Sequence, residues 1–287
     1  MRFGVGTPER RSRGGISVTG GMDRITSTQN PYVKRIVAIR NDGLVRQQEG
    51  VFFLEGDRAI EEALNRGVTP VDLIYVPRML DEEPAVIERA AKSGARIVSV
   101  SKDVYKKMAD TMNPVWMAAL YPLPNYTLAE VLSKPEGIYL IASNVQDPGN
   151  LGTIWRSSAC LGATALVVST PACDLWNGKV LRASSGATFA VPVLKARPQD
   201  IAVAFAAVGV PVYGADVKGQ MLVTELPAKR PIAVAFGHET QGLHPDVARG
   251  LAGTFRIPMQ SGMDSLNVAS AAVVTLYELG RSNIAGK

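Results

Sequence analysis

The sequence predicts a two-part α/β protein: an α/β sandwich of about a hundred residues, then a domain built on a mostly parallel sheet. Three observations carry that expectation. In the first half, short apolar runs alternate with stretches of helical periodicity. In the second half, the apolar runs rarely alternate with polar residues, which suits strands buried on both faces. Between the halves, residues 122–136 hold three prolines around a short helical pattern at 127–132, as a linker would.

A first helix is expected from Asn30-Pro31, where asparagine can cap and proline fits the first turn. Its apolar Val33, Ile36, Val37 and Ile39 interleave with Lys34, Arg35 and Arg40. Strands at 51–54, 73–76, 96–100 and 115–121 then alternate with helices at 57–66, 84–92 and 102–108, and Gly67 closes the first of these helices. Beyond the linker, strands are expected at 138–143, 165–169, 191–194, 210–213, 232–236 and 255–258, with helices at 150–161 and 267–281. Residues 1–22, with six glycines and no apolar period, read as a flexible basic leader. The expected domains are therefore 23–121 and 137–287.

Composition removes several function classes. Lys and Arg number 31 against 26 Asp and Glu, a net +5. That excess is +3 over residues 1–22, 0 over 23–135 and +2 over 136–287, so net charge alone is poor ground for a nucleic-acid partner. Two cysteines, Cys160 and Cys173, cannot staple 287 residues; they read as small buried hydrophobes in a reducing, cytoplasmic setting. The two histidines, His238 and His244, leave no room for a His-rich metal site, so no metal is expected. The apolar, uncharged stretch 201–215 is broken by Gly209 and Pro211 and is too short to span a bilayer, so no membrane association is expected.

Familiar catalytic motifs are missing. There is no Walker A sequence, and Gly4-Val5-Gly6 lacks the preceding strand and third glycine of a dinucleotide fingerprint, which argues against a nicotinamide dehydrogenase. Residues 183–187 do not form a nucleophile elbow. Three polar, glycine-bearing clusters remain, each after an expected strand, where parallel α/β sheets bind ligands. The first, 144–156, contains Asn150, Gly152 and Arg156; Asn150 suits a helix cap as well as a ligand, and Arg156 suits a surface ion pair as well as a site. The second, 235–243, sets glycines around Glu239 and reads equally as a plain turn. In the third, 257–269, Asp264, Ser265 or Asn267 can cap the last helix.

Taken in order, Asn150-x-Gly152-x-x-x-Arg156, Gly237-x-Glu239-x-x-Gly242, and Ile257-Pro258-Met259 followed by Ser265-Leu266-Asn267-Val268 resemble the three signatures of the SpoU (TrmH-like) branch of the SPOUT RNA methyltransferases. The resemblance spans residues 137–283. Residues 23–121, with Phe53-Leu54-Glu55-Gly56, resemble the substrate-binding domain of that family, which is L30e-like.

The resemblance implies S-adenosylmethionine-dependent methylation of a ribose 2′-oxygen in rRNA or tRNA, the two-domain layout favouring large-subunit rRNA. It implies a trefoil-knotted catalytic domain that forms a homodimer. Main-chain cofactor contacts would come from Gly237, Ile257 and Leu266, with Gly242, Met259 and Asn267 shaping the pocket. Asn150 and Ser265 would orient the ribose, and Glu239 would hold Arg156 or its loop. The family assigns proton abstraction to the arginine of the first signature, here Arg156. A guanidinium stays protonated, so phosphate binding and oxyanion stabilisation suit it better. Competing readings are a tRNA ribose methyltransferase, a resistance-conferring relative acting on the ribosome, and a catalytically silent RNA-binding factor. The intact Asn150, Arg156, Glu239, Ser265 and Asn267 weigh against silence. RNA contact is expected from Arg24, Lys34, Arg35, Arg40 and Arg46, five basic residues against Asp42, with Tyr32 nearby; a solvated helix face is the alternative.

Overall fold

The computed structural model describes residues 24–77, 85–238, 240–261 and 265–284, with side chains described as far as residue 281. The expected leader lies outside the described residues. The chain divides into two compact units between Leu123 and Pro124.

The first unit contains α1 (Pro31–Asn41), α2 (Gly43–Glu49), β1 (Val51–Glu55), α3 (Asp57–Asn65), β2 (Asp72–Tyr75), α4 (Ala85–Lys92), β3 (Arg96–Ser99), α5 (Lys102–Met108) and β4 (Met117–Pro122). Its sheet runs β1-β4-β2-β3; β4 is antiparallel to both neighbours and β2 is parallel to β3. Asn30 caps α1 through its side chain, with Pro31 opening the helix. The helix stops at Asp42, which turns extended and caps α2 by accepting from Leu44 N. Val33, Ile36 and Ile39 of α1 and Val104, Tyr105 and Met108 of α5 share one core with Phe53, Ile74 and Leu120 of the sheet.

The second unit contains α6 (Leu128–Val131), β5 (Ile138–Ser143), α7 (Pro148–Cys160), β6 (Ala165–Ser169), α8 (Gly178–Ser184), β7 (Val193–Ala196), α9 (Pro198–Ala207), β8 (Val212–Ala215), β9 (Met221–Leu222), β10 (Ile232–Phe236), α10 (Pro245–Arg249), β11 (Gly253–Arg256) and α11 (Val268–Ile284). Its seven strands run β7-β6-β5-β10-β8-β11-β9, and every pairing is parallel. This is the parallel sheet that the sequence predicts. Side chains alternate along β5: Ile138, Leu140 and Ala142 pack with α7, α8 and α11, whereas Tyr139 and Ile141 pack with α6, α9 and α10. Both faces are dry, which explains why these strands show no polar alternation.

Three strands of the second unit are shifted by two residues from the expected ranges, and β4 of the first unit starts two residues later than expected, at Met117. The expected runs 191–194, 210–213 and 255–258 each include a proline, which supplies no N–H to a ladder; β7 and β8 begin after Pro192 and Pro211, and β11 ends before Pro258. Helices α2, α8, α9 and α10 and the short strand β9 were not expected. The proline-rich stretch before β5 folds onto the second unit: Thr127 and Glu130 form a capping box on α6, and Val131 and Leu132 are buried against the sheet. Among the described residues, no helix is long and apolar enough to cross a membrane. The knot implied by the resemblance would join the loops after β10 and β11, of which residues 239 and 262–264 lie outside the described residues.

Candidate functional site

The carboxyl end of β5 is tied to its neighbours by small polar side chains. Ser143 Oγ accepts from Ser169 Oγ at 3.3 Å and from the His244 backbone N–H at 3.0 Å. Asn144 turns into the left-handed region (φ 60°), and its Nδ2 donates to Gln241 Oε1 at 2.7 Å. The loop after β5 and the loop after β10 are thereby fastened together.

Helix α7 starts earlier than expected, and its cap is Asp147 rather than Asn150. The Asp147 carboxylate accepts from Asn150 N at 2.8 Å, and Pro148 fills the first helical position. That backbone bond, aided by Lys179 at 3.5 Å, holds the Asp147 carboxyl below the usual carboxylate range. Relieved of capping, Asn150 Oδ1 accepts from Asn267 Nδ2 at 3.0 Å, across 117 positions of chain. Asn267 in turn caps α11, its Oδ1 accepting from Ala269 N at 3.0 Å and Ser270 N at 3.3 Å. The first and third signatures therefore meet through two asparagines.

Gly152 has a packing reason: a Cβ there would fall 2.4 Å from Ala183 Cβ and 2.6 Å from Val180 O on α8. Arg156 lies further along α7, exposed, and among the described residues it makes no hydrogen bond or ion pair. In the second signature, His238 and Gly242 exchange backbone hydrogen bonds of 3.0 and 2.9 Å, closing a tight loop. A Cβ on Gly237 would sit 2.2 Å from Gly242 C, and Gly242 itself has φ +67°. Both glycines answer to backbone geometry. Glu239 lies outside the described residues, so its expected hold on Arg156 is not described. Ile257 and Met259 are half-buried, Ile257 packing against the main core, while Ser265, Leu266 and Asn267 are exposed.

Asn144, Asp147 and Gln241 fall within the expected polar clusters without an expected role, and Ser143 lies just before the first cluster. Asp147 was findable, because an Asp before Pro is a helix-start signal. The others depend on contacts between distant loops.

Most of the side chains expected to form an RNA face around α1 have partners within the first unit. Arg46 is buried at 4% exposure, and its Nη1 donates to Ile39 O and Arg40 O in the last turn of α1. Arg40 Nη1 donates to Met108 O and Ala109 O at the end of α5, and Arg24 Nε to Val100 O. Arg35 pairs with Glu49 at 3.0 Å and lies 4.0 Å from the buried Asp72. Most of these guanidiniums serve the fold, and Lys34 is left exposed on α1. The cysteines differ too: Cys160 is exposed and Cys173 half-buried, both as free thiols. Among the described residues, no group of three or more His, Cys, Asp or Glu side chains gathers as a metal site would need.

Comparison with known proteins fits this geometry. Residues 137–277 match the SpoU rRNA Methylase family, and residues 30–119 match an MRM3-like substrate binding domain. An uncharacterised tRNA/rRNA methyltransferase of Synechocystis is 31% identical over 266 residues, covering 92% of this chain and 96% of that protein. The 23S rRNA (guanosine(2553)-2′-O)-methyltransferase of Bacillus subtilis is 29% identical over 259 residues, covering 90% of this chain and 99% of its own. The crystal structure of an AdoMet-bound rRNA methyltransferase from Sinorhizobium meliloti aligns with a TM-score of 0.82 at 28% identity, covering 91% of this chain and 98% of that one. A parallel sheet bearing these three loops at its carboxyl ends, preceded by a substrate-binding unit, defines a SPOUT-class RNA methyltransferase. Within that class, the chain belongs to the SpoU rRNA methylase family.

Proposed function

We propose that this protein methylates the ribose 2′-oxygen of a nucleotide in large-subunit rRNA, with S-adenosylmethionine as methyl donor. The observation that carries the reading is the Asn267–Asn150 hydrogen bond, which fastens two of the three signatures at one end of the sheet. The glycine loop supports cofactor binding, because Gly237 and Gly242 bring bare backbone where any side chain would collide or strain.

When bound, S-adenosylmethionine supplies an electrophilic methyl group on its sulfonium sulfur. The main chain at Gly237, Ile257 and Leu266 contacts the adenosyl part, and Gly242, Met259 and Asn267 support the pocket. Asn150 and Ser265 orient the ribose. The exposed Arg156 guanidinium binds the adjacent phosphate and stabilises negative charge developing on the 2′-oxygen, the phosphate accepting its proton. Glu239 fixes Arg156 or its loop. Positioning and charge stabilisation are thus the chain's main catalytic contributions.

A homodimer through the second unit belongs to the same proposal. Val274 and Tyr277 of α11 are 40% and 57% exposed, an apolar pair that a second copy would cover. The free thiols Cys160 and Cys173 suit the cytoplasm, where thiols stay reduced. The test is transfer of labelled methyl from S-adenosylmethionine to 23S rRNA or tRNA. Labelling of the rRNA alone is expected; labelling of tRNA alone would favour the competing reading.

A further inference from the structure

The first unit carries a surface that the chemistry above does not use. Helix α5 presents Lys102, Lys106 and Lys107 to solvent, with Asp103 its one acidic residue. Among the described residues, none of the three lysines has a carboxylate partner. Lys102 Nζ lies 5.3 Å from the centroid of the Trp116 ring, which also packs on Tyr105 at 5.8 Å between centroids.

The loop joining α5 to β4 is clamped at its root. Glu55, at the end of β1, accepts from Asp110 N at 3.0 Å and Thr111 Oγ1 at 2.9 Å. Arg40 donates to the carbonyls of Met108 and Ala109. Past this clamp, Met112 is 99% exposed and Val115 is 45% exposed. Trp116 follows at φ 60°, a left-handed conformation that is costly for a bulky aromatic. The core of the unit closes without the loop tip, on Tyr105, Met108 and Leu120.

Apolar and aromatic groups beside unpaired lysines match an RNA strand whose bases are splayed out: the rings and methionine meet bases, and the ammonium groups meet phosphates. A protein or membrane partner would need a larger apolar patch than Met112 and Val115 supply. We propose that α5 and the 109–116 loop form the substrate-RNA contact of the first unit, with Glu55 and Arg40 as positioning residues; this rests on the rRNA methyltransferase reading. An unstacked base takes the Trp116 face now covered by Lys102, releasing that ammonium to the neighbouring phosphate. The predicted RNA surface thus moves from α1 to α5.

The test is filter binding of the full-length protein to unmodified 23S rRNA transcript over a salt series, with S-adenosylmethionine affinity measured calorimetrically on the same samples. Combining Lys102→Gln, Lys106→Gln and Lys107→Gln should weaken rRNA binding at least ~10-fold. The same variant should lower the log–log salt slope by about 2, at ~0.7 per phosphate contact on single strands. Met112→Ser, at a site too exposed to disturb folding, should weaken binding with the slope unchanged. Glu55→Gln should raise the KM for rRNA with kcat and cofactor affinity preserved. Binding within twofold of the unaltered protein for the lysine and Met112 variants, with an unchanged salt slope, would overturn the proposal. Methyl transfer by the unaltered protein is scored separately. Weakened variants beside an inactive parent keep the surface and sink the activity, whereas undiminished variants beside an active parent do the reverse.

Discussion

Arg156 is an exposed guanidinium on α7 with no partner among the described residues, so its removal leaves the described contacts of the fold intact. Arg156→Ala is accordingly expected to keep S-adenosylmethionine affinity while single-turnover methyl transfer falls by at least ~100-fold, the typical worth of one oxyanion donor. Near-normal turnover would remove Arg156 from the mechanism. Gly242→Val tests the other half of the site. The substitution places a β-branched residue at φ +67° and should abolish cofactor binding in calorimetry; unchanged affinity would contradict the proposed pocket. At this scale the sequence reveals residue types but not partners. Asn150 reads as a cap until Asp147 is seen to take that duty, leaving its amide oxygen for Asn267. Arg46 reads as an RNA ligand until the open carbonyls at the end of α1 claim it. In both cases the deciding neighbour is set by how a helix end is satisfied.

Helix α7 carries the first signature, and its start rests on Asp147. Folding favours the ionised form of this carboxyl, because the Asn150 N–H and then Lys179 lower its proton affinity. The cap is therefore fully present above the ordinary aspartate value of about 3.9 and is lost as pH falls through the lower native value. Asp147→Ala should reduce unfolding stability by ~1 kcal/mol at neutral pH, a deficit that shrinks in acid, while Asp147→Asn retains most of it because asparagine also caps. Denaturant melts at pH 7 and below pH 3 check this; an equal deficit at both would refute the carboxylate's role. Elements bounded by clear punctuation are legible in the sequence: α5, β5, β6 and β10 occupy the expected ranges. Helix α9 is hidden because its apolar face runs through Gly209-Pro211 into β8 as one uncharged stretch. Its start was readable from Pro198 and Asp200.

At the scale of the whole molecule, alternating apolar runs disclose two α/β units, yet the strand order β7-β6-β5-β10-β8-β11-β9 depends on long-range pairing that no local pattern encodes. The parallel sheet explains where the site is, since all three signatures follow the carboxyl ends of strands. The exposed α11 pair gives the assembly a test. Val274→Glu combined with Tyr277→Glu should convert a sedimenting dimer to a monomer, and a monomeric unaltered protein would contradict the proposed homodimer. The central claim is ribose methylation of large-subunit rRNA, and nucleotide-resolution mapping of 2′-O-methylation tests it most directly. Ribosomal RNA from cells lacking the gene should miss one 2′-O-methyl group in the large-subunit rRNA, and the purified protein with S-adenosylmethionine should restore it. A methyl group restored on a base or on tRNA, or an unchanged rRNA map, would contradict the account.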